Sequence, residues 1–381
     1  MLAFVSLIVL VIWLVLFFAW GNFWQIWEFD SDRAQFPAPP EWPRVTAVVP
    51  ARNEAASIEA VIRAFAAQDY AGGFSVIVVD DHSDDGTARL AFRAATDTNA
   101  ASRIRVISAP ELIGGWTGKL WALHAGVNES AAAEFYWFTD ADVVHAPDTL
   151  RRLVSRAQAG SLDLTSLMVL LRAETFAERL LIPAFLYFFL MLYPPKWIAD
   201  RNSRTAGAAG GCILLRQAAL RRVGGLAAIR DEVIDDCALA RAVKRSGGTI
   251  WMGLTRASQS LRSYEHCSHI RDMIARTAFT QLRYSPILLA GALVGMILTF
   301  VLPLALTFSA HIRVWPFALA AWCLMTASFL PTVTFYRLRT IWAPLLPLAA
   351  LFYTYATCLS AARCWLGRGG QWKGRSQAAS R

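Results

Sequence analysis

Charge is scarce in this 381-residue chain: Asp, Glu, Lys and Arg together make 17% of it, against 56% hydrophobic residues. A mean hydropathy of +0.39 is too apolar for a wholly water-exposed domain and calls for membrane segments. Cysteine carries no metal or redox signal. The six cysteines, at 212, 237, 267, 323, 358 and 364, form no CxxC pair and show no metal-ligand spacing. Reduced structural thiols fit that pattern, and a cytoplasmic domain fits reduced thiols. GxxxxGK[ST] and GxGxxG are both absent, which excludes a P-loop and a dinucleotide fingerprint. The run Gly114-Gly115-Trp116-Thr117-Gly118-Lys119 is glycine-rich but follows neither pattern. No HExxH occurs, so His82, His124, His145, His266 and His269 read as surface or structural residues. Internal repeats and low-complexity tracts are missing too.

Long uncharged runs are what the chain has instead. Residues 2–27, 286–308, 314–336 and 341–362 contain no Asp, Glu, Lys or Arg and are of spanning length. They predict one leading and three trailing transmembrane helices. The leading run lacks a preceding basic residue and a small-x-small cleavage site, so an uncleaved anchor over 1–27 is expected. The first basic residues, Arg33 and Arg44, follow that run. The positive-inside rule then puts the next domain in the cytoplasm, in a multi-pass protein of a bacterial-type inner membrane. Three trailing spans would put the basic tail 363–381, with Arg368, Lys373, Arg375 and Arg381, outside, against the same rule. Arg337 and Arg339, between the last two spans, sit inside as the rule prefers, which directs attention to the span count near the end. A net charge of +9 scattered over such a protein suits an anionic bilayer surface and not nucleic acid.

Between the apolar ends the pattern changes. Residues 28–43, EFDSDRAQFPAPPEWP, read as an acidic, proline-rich linker. From Arg44, short strand-like runs (45–51, 76–80, 105–110, 135–140) alternate with segments of helical spacing (54–68, 87–95, 119–127). That alternation predicts an α/β domain over 44–262 with a mostly parallel, Rossmann-like sheet. Residues 211–216 read as a further strand and 235–248 as a helix. Residues 180–195 are apolar but short and interrupted by Pro183, which suggests an interfacial or re-entrant segment. Residues 263–285 read as a second interfacial segment ahead of the helices at 286–362.

In such sheets ligands bind beyond the carboxyl ends of the strands. The first strand ends in Arg52-Asn53-Glu54, the second in DDHSDDGT (80–87), the fourth in Asp140-Ala141-Asp142. Each alone is ordinary cap or turn chemistry. Three at one edge make a site. Two carboxylates spaced i, i+2 form a hard-oxygen pair suited to Mg²⁺ or Mn²⁺ together with substrate phosphates.

The stretches VVPARNEAASI, VVDDHSDDGT, GGWTGKLWALHAG, FTDADV, GGCILLRQAALRRVGG and IDDCALARAVKRSGG occur in this order. Together they resemble a family 2 inverting glycosyltransferase of the GT-A fold. The apolar ends and the terminal WKGR (372–375) are similar to its membrane-bound branch, with hopene-associated, ceramide and carotenoid glycosyltransferases. The resemblance implies a nucleotide-sugar donor, most simply UDP-linked, a divalent metal and a membrane lipid acceptor. Pro50, Ala51 and Glu54 would then line the nucleotide turn, and Asp80 and Asp81 would hold the base or ribose. Lys119 would contact the nucleotide, Asp140 the ribose and sugar, and Asp142 the metal. Asp236 would be the general base, with Asp235 beside it raising its pKa. Taken alone, Asp235-Asp236 reads as a helix cap and first-turn acid that stabilise the helix dipole.

Two departures stand out. Asp235-Asp236 replaces the family's Glu-Asp, and the downstream (Q/R)xxRW appears only as Thr280-Gln281-Leu282-Arg283-Tyr284. Arg283 remains a candidate for pyrophosphate and Tyr284 for stacking on acceptor or sugar. The lost Gln speaks against processive polymer synthesis. The implied activity is hexosyl transfer to a lipid hydroxyl, with a hopanoid as the resembling acceptor. Transfer to polyprenyl phosphate and a polysaccharide synthase-transporter are the alternatives.

Overall fold

A computed structural model describes residues 2–26, 29–30, 36–309, 311–367, 371–372 and 375–376. Arg33, Arg368, Lys373 and Arg381 lie outside the described residues. Two compact units divide the chain. The sheet unit is built on β1 (Val45–Ala51), β2 (Phe74–Asp80), β3 (Ile104–Ser108), β4 (Phe135–Phe138), β5 (Val143–His145), β6 (Leu164–Leu170), β7 (Ile213–Arg216) and β8 (Ile250–Ser260). They form one sheet in the order β3-β2-β1-β4-β7-β6-β8-β5. β3, β2, β1 and β4 run parallel, as do β6 and β8. β7 is antiparallel to both β4 and β6, and β5 is antiparallel to β8. The fold is therefore α/β as expected, parallel through its first four strands and mixed beyond them.

Every residue of β1 is buried, which explains a run that is apolar but for Thr46: a strand covered on both faces has no polar side to alternate with. Helix Ile58–Ala66 buries Ile58, Val61, Ile62 and Phe65, the i, i+3, i+4, i+7 stripe of a helix lying on a sheet. Helix Gly118–Asn128 comes closer still. A Cβ on Gly126 would sit 2.4 Å from Val48 Cγ1 and 2.9 Å from Val79 Cγ2, so only glycine fits there. That approach sets the height of Lys119 over the strand ends. The aromatic run of β4 is core: Trp137 packs against Phe65 and His145 at ring distances of 5.3 and 4.6 Å and donates its indole N–H to Cys212 Sγ. His145 bonds Thr139 and Ser258 through its two ring nitrogens, and burial drops its pKa to about 3. It is a neutral core residue.

The described part of the stretch after the first apolar run is fixed on this unit. Phe29 bridges Leu254, and Asp30 pairs with Arg152 at 2.6 Å.

The other unit is helical. It contains helices Leu2–Phe18, Phe176–Leu192 and Cys267–Gln281 and three further helices, Pro286–Thr307, Trp315–Phe335 and Thr340–Trp365. The last three are, among the described residues, the ones long and apolar enough to cross a bilayer. Leu2–Phe18 has 17 residues and is equally apolar but shorter. Residues 172–196, expected within the α/β domain, belong here. The segment expected at an interface is a continuous helix that keeps Pro183 inside and buries Leu181, Ile182, Leu186, Tyr187 and Leu190.

Pro303 breaks a hydrogen bond in Pro286–Thr307, because it has no N–H for the carbonyl four residues back. The backbone answers with a π-helical turn over Ile297–Val301. The orphaned carbonyl of Thr299 accepts the Trp13 indole N–H at 2.7 Å. In an apolar medium that bond matters, since no water can replace it.

Candidate active site

β1 and β2 pair through Ala51 and Asp80, and β1 and β4 through Val48 and Phe138. The three polar strand ends are thereby delivered side by side, as the topology requires. The first two turns also clasp each other. Asn53 donates its backbone N–H to Ser83 Oγ, Asp84 donates to Asn53 Oδ1, and Ala55 donates to Asp85 Oδ2. Asn53 and His82 are held at φ of 52° and 54°, left-handed conformations that non-glycine residues adopt at a cost. Asp81 is fully buried against Arg52, whose Nη1 lies 3.6 Å from Asp81 Oδ2 and also donates to the Asp81 carbonyl. Asp80 is also buried; its Oδ2 accepts from Ser83 N–H. Its Oδ1 has no hydrogen-bond partner among the described residues.

Lys119 is the hub of the next group. Its Nζ lies 3.0 Å from Asp140 Oδ1 and 3.3 Å from Asp235 Oδ2. Burial alone would lower the Lys119 pKa, but Asp140, Asp235 and Asp236 outweigh it and hold it well above the usual lysine range. Asp235 and Asp236 open helix Asp235–Arg245, where the helix dipole favours negative charge. Asp236 Oδ2 accepts the Gly210 N–H at 2.9 Å, and Oδ1 accepts the Cys237 N–H at 2.7 Å. Burial first, then Asp235, raises the Asp236 pKa to about 6, against the opposing pull of Lys119 and the two backbone donors. A Cβ on Gly210 would stand 3.1 Å from Lys119 Nζ and 3.4 Å from Asp236 Oδ2, so a larger residue there would press on both charged ends. Pro50, Lys119, Asp140, Asp235 and Asp236 line one pocket, closed on its other sides by apolar residues such as Leu120, Phe138 and Leu239. Low local polarity explains why these charges perturb one another so strongly.

Glu54 and Asp142 meet in a third group around Arg262. Arg262 Nη2 donates to Glu54 Oε1 and Nε to Asp142 Oδ2, both at 2.9 Å, and Ser260 Oγ donates to the same Oδ2 at 3.1 Å. The Ala51 carbonyl accepts the Asp81 N–H and closes the edge between β1 and β2. Arg283 and Tyr284 belong to the helical unit. They follow Cys267–Gln281 in consecutive left-handed conformations, φ 51° and 56°, and the Tyr284 hydroxyl accepts from Thr280 Oγ1.

Arg262 carries no motif and was not foreseen; Gly210 opens the GGCILLRQAALRRVGG stretch but was given no role of its own. Arg262 lies two residues beyond β8, whose last residues, Arg256 to Ser260, break the apolar pattern. Gly210 sits in a run of small residues, TAGAAGG, whose compactness was the available signal.

A divalent ion fits Asp140 and Asp142 only in part. The donor set is hard oxygen, but the two carboxylates already face Lys119 and Arg262, and no cluster of three or more His, Cys, Asp or Glu residues capable of holding a metal occurs among the described residues. Such a pair suits an ion whose remaining ligands come from a bound diphosphate.

A curated N-acetylglucosaminyltransferase of Mesorhizobium japonicum is 27% identical over 181 residues, 47% of this chain; the match spans 38% of that protein's length. The solved mannosyltransferase of Pyrobaculum calidifontis, in complex with GDP-Man and Mn²⁺, is 21% identical, with 93% of this chain and 99% of that one covered at a TM-score of 0.54. That likeness supports a GT-A fold. The family model described as "Glycosyltransferase like family 2" matches residues 43–279, more than half of the chain and every site residue of the sheet unit. The chain belongs to glycosyltransferase family 2.

Proposed function

We propose that this glycosyltransferase moves a sugar, with inversion, from a nucleotide-diphosphate donor, UDP-linked in our reading, to a hydroxyl of a membrane lipid at the cytoplasmic face of a bacterial inner membrane. The observation that carries the chemistry is the half-buried group Lys119, Asp140, Asp235 and Asp236 in one pocket at the strand ends. Asp236 takes the proton of the acceptor hydroxyl as the new bond forms. A carboxylate with a pKa near 6 is still ionised at neutral pH yet basic enough to accept that proton. Asp235 keeps that pKa up, and Lys119 keeps it from rising further. Asp80, whose buried Oδ1 awaits a donor, suits an N–H of the base, and Pro50, Ala51 and Glu54 frame the nucleotide turn. A divalent ion held near Asp140 and Asp142 would supply positive charge to the leaving diphosphate. Arg283 and Tyr284 are proposed for pyrophosphate and acceptor contacts.

The lipid acceptor rests on the three helices of spanning length, and the hopanoid on the resemblance of the motifs. The protein reconstituted in lipid vesicles, given UDP- and GDP-linked sugars, is expected to form a glycolipid detectable by mass spectrometry of the lipid extract. Sugar appearing only on a water-soluble acceptor would sink the lipid assignment. In the same assay Asp236→Asn should cut turnover at least ~100-fold with the fold intact by circular dichroism. A chelator should abolish turnover, and undiminished activity in its presence would remove Asp142 from its metal role.

A further inference from the structure

The position of Arg262 is dictated by the sheet. β5 pairs with β8 through Val143 and Ser260, and the Leu261 N–H extends the ladder by donating to the Asp142 carbonyl at 2.7 Å. The next side chain, Arg262, is thereby aimed at the Asp142 carboxylate. Its fork spans two acids from two different strand turns, with Nε on Asp142 and Nη2 on Glu54. The acids are sheltered, at 11% and 14% side-chain exposure, while Arg262 is 37% exposed, so water screens the pairing in part and can reach the guanidinium. A guanidinium bridging carboxylates in this way makes strong, directional, charge-assisted bonds. Oδ2 of Asp142 carries a second donor, Ser260. The oxygen expected to meet a divalent ion is thus already neutralised from within the chain.

We infer that Arg262 is a resident counter-cation that competes with the divalent ion for Asp142. In the donor-free protein the guanidinium holds the carboxylate, and loading of the ion requires Nε to release Oδ2. A nucleotide diphosphate gives the released fork new acceptor oxygens, so ion and nucleotide load together and the ion alone binds weakly. Arg262 is a positioning residue, acting through Asp142, and the inference rests on the reading of Asp142 as the metal residue.

The test is a titration of the full chain in detergent with Mn²⁺, read as loss of the free-ion electron paramagnetic resonance signal, without and with UDP or GDP. Without nucleotide, Arg262→Gln should bind Mn²⁺ about tenfold more tightly than wild type, the scale of one charge-assisted bond. Adding Asp142→Asn to that variant should erase the gain. Nucleotide should tighten Mn²⁺ binding more in wild type than in Arg262→Gln. A misfolded variant cannot mimic a gain in affinity. Should Arg262→Gln fail to fold, Arg262→Lys, which cannot span both acids, decides the matter: a smaller gain supports the inference and no gain overturns it. Unchanged or weaker binding in folded Arg262→Gln, with Asp142→Asn still abolishing nucleotide-dependent binding, overturns the role of Arg262 and leaves the metal reading standing. Binding by Asp142→Asn equal to wild type in all conditions removes the metal reading, and the inference with it.

Discussion

The strand ends of the sheet unit and the apolar helices of the helical unit satisfy their buried polar groups by opposite means. In the sheet unit the strand ends set charge against charge: Lys119 against Asp140 and Asp235, Arg262 against Glu54 and Asp142. In the helical unit neutral side chains serve backbone carbonyls: Trp13 on Thr299, Tyr353 on Leu181, Trp322 on Pro344. Neutral bonds of this kind hold an architecture and have no reason to change partners. Ion pairs between sheltered groups are costly to assemble and contribute little net stability. They earn their place where a charged ligand can rearrange them.

Substitutions can break this contrast. Lys119→Met should have the larger effect, because it leaves three carboxylates facing one another. For a fully buried pair the cost is 3–5 kcal/mol; with side chains 18–37% exposed, about 2 kcal/mol is expected, measured by chemical denaturation. Its sharper signature is in pH dependence. Lys119 pulls the Asp236 pKa down, so its loss should move the acid limb of the rate profile upward, whereas Asp235→Asn should move it downward. Limbs that stay put in both variants would separate Asp236 from this network.

Gly126→Ala tests packing beneath the site. Overpacking against Val48 and Val79 should lower stability by about 1–3 kcal/mol, read as a fall in Tm. Trp13→Phe keeps the ring and deletes one donor. It should cost about 1 kcal/mol in the helical unit, measured by thermal unfolding in detergent, and leave the Asp236 pH limb in place. A shifted limb would mean that the two strategies are not independent.

The sequence made the strand ends legible because three of them carry acids after unbroken apolar runs. β1 matches its expected span, 45–51, residue for residue. β5, β6 and β8 were not legible. β5 has three residues, too few to show any period, and β8 passes from an apolar start to a polar end without alternating. Arg262 was hidden for that reason: its role depends on the register of β5 with β8, which no local pattern encodes. The placement of 172–196 was equally hidden, since hydrophobicity reports that a segment is buried and not what it is buried against.

Asp236, its carboxyl raised by burial and by Asp235 to a pKa of about 6, is the proposed acceptor of the hydroxyl proton. The most direct measurement is incorporation of labelled sugar from nucleotide donor into extractable lipid as a function of pH, for wild type beside Asp236→Asn. A base must be deprotonated to act, so wild-type kcat/KM should fall as pH drops through about 6. The variant should be nearly inactive throughout. An Asp236→Asn protein that transfers at the wild-type rate, with the same acid limb, would contradict the account.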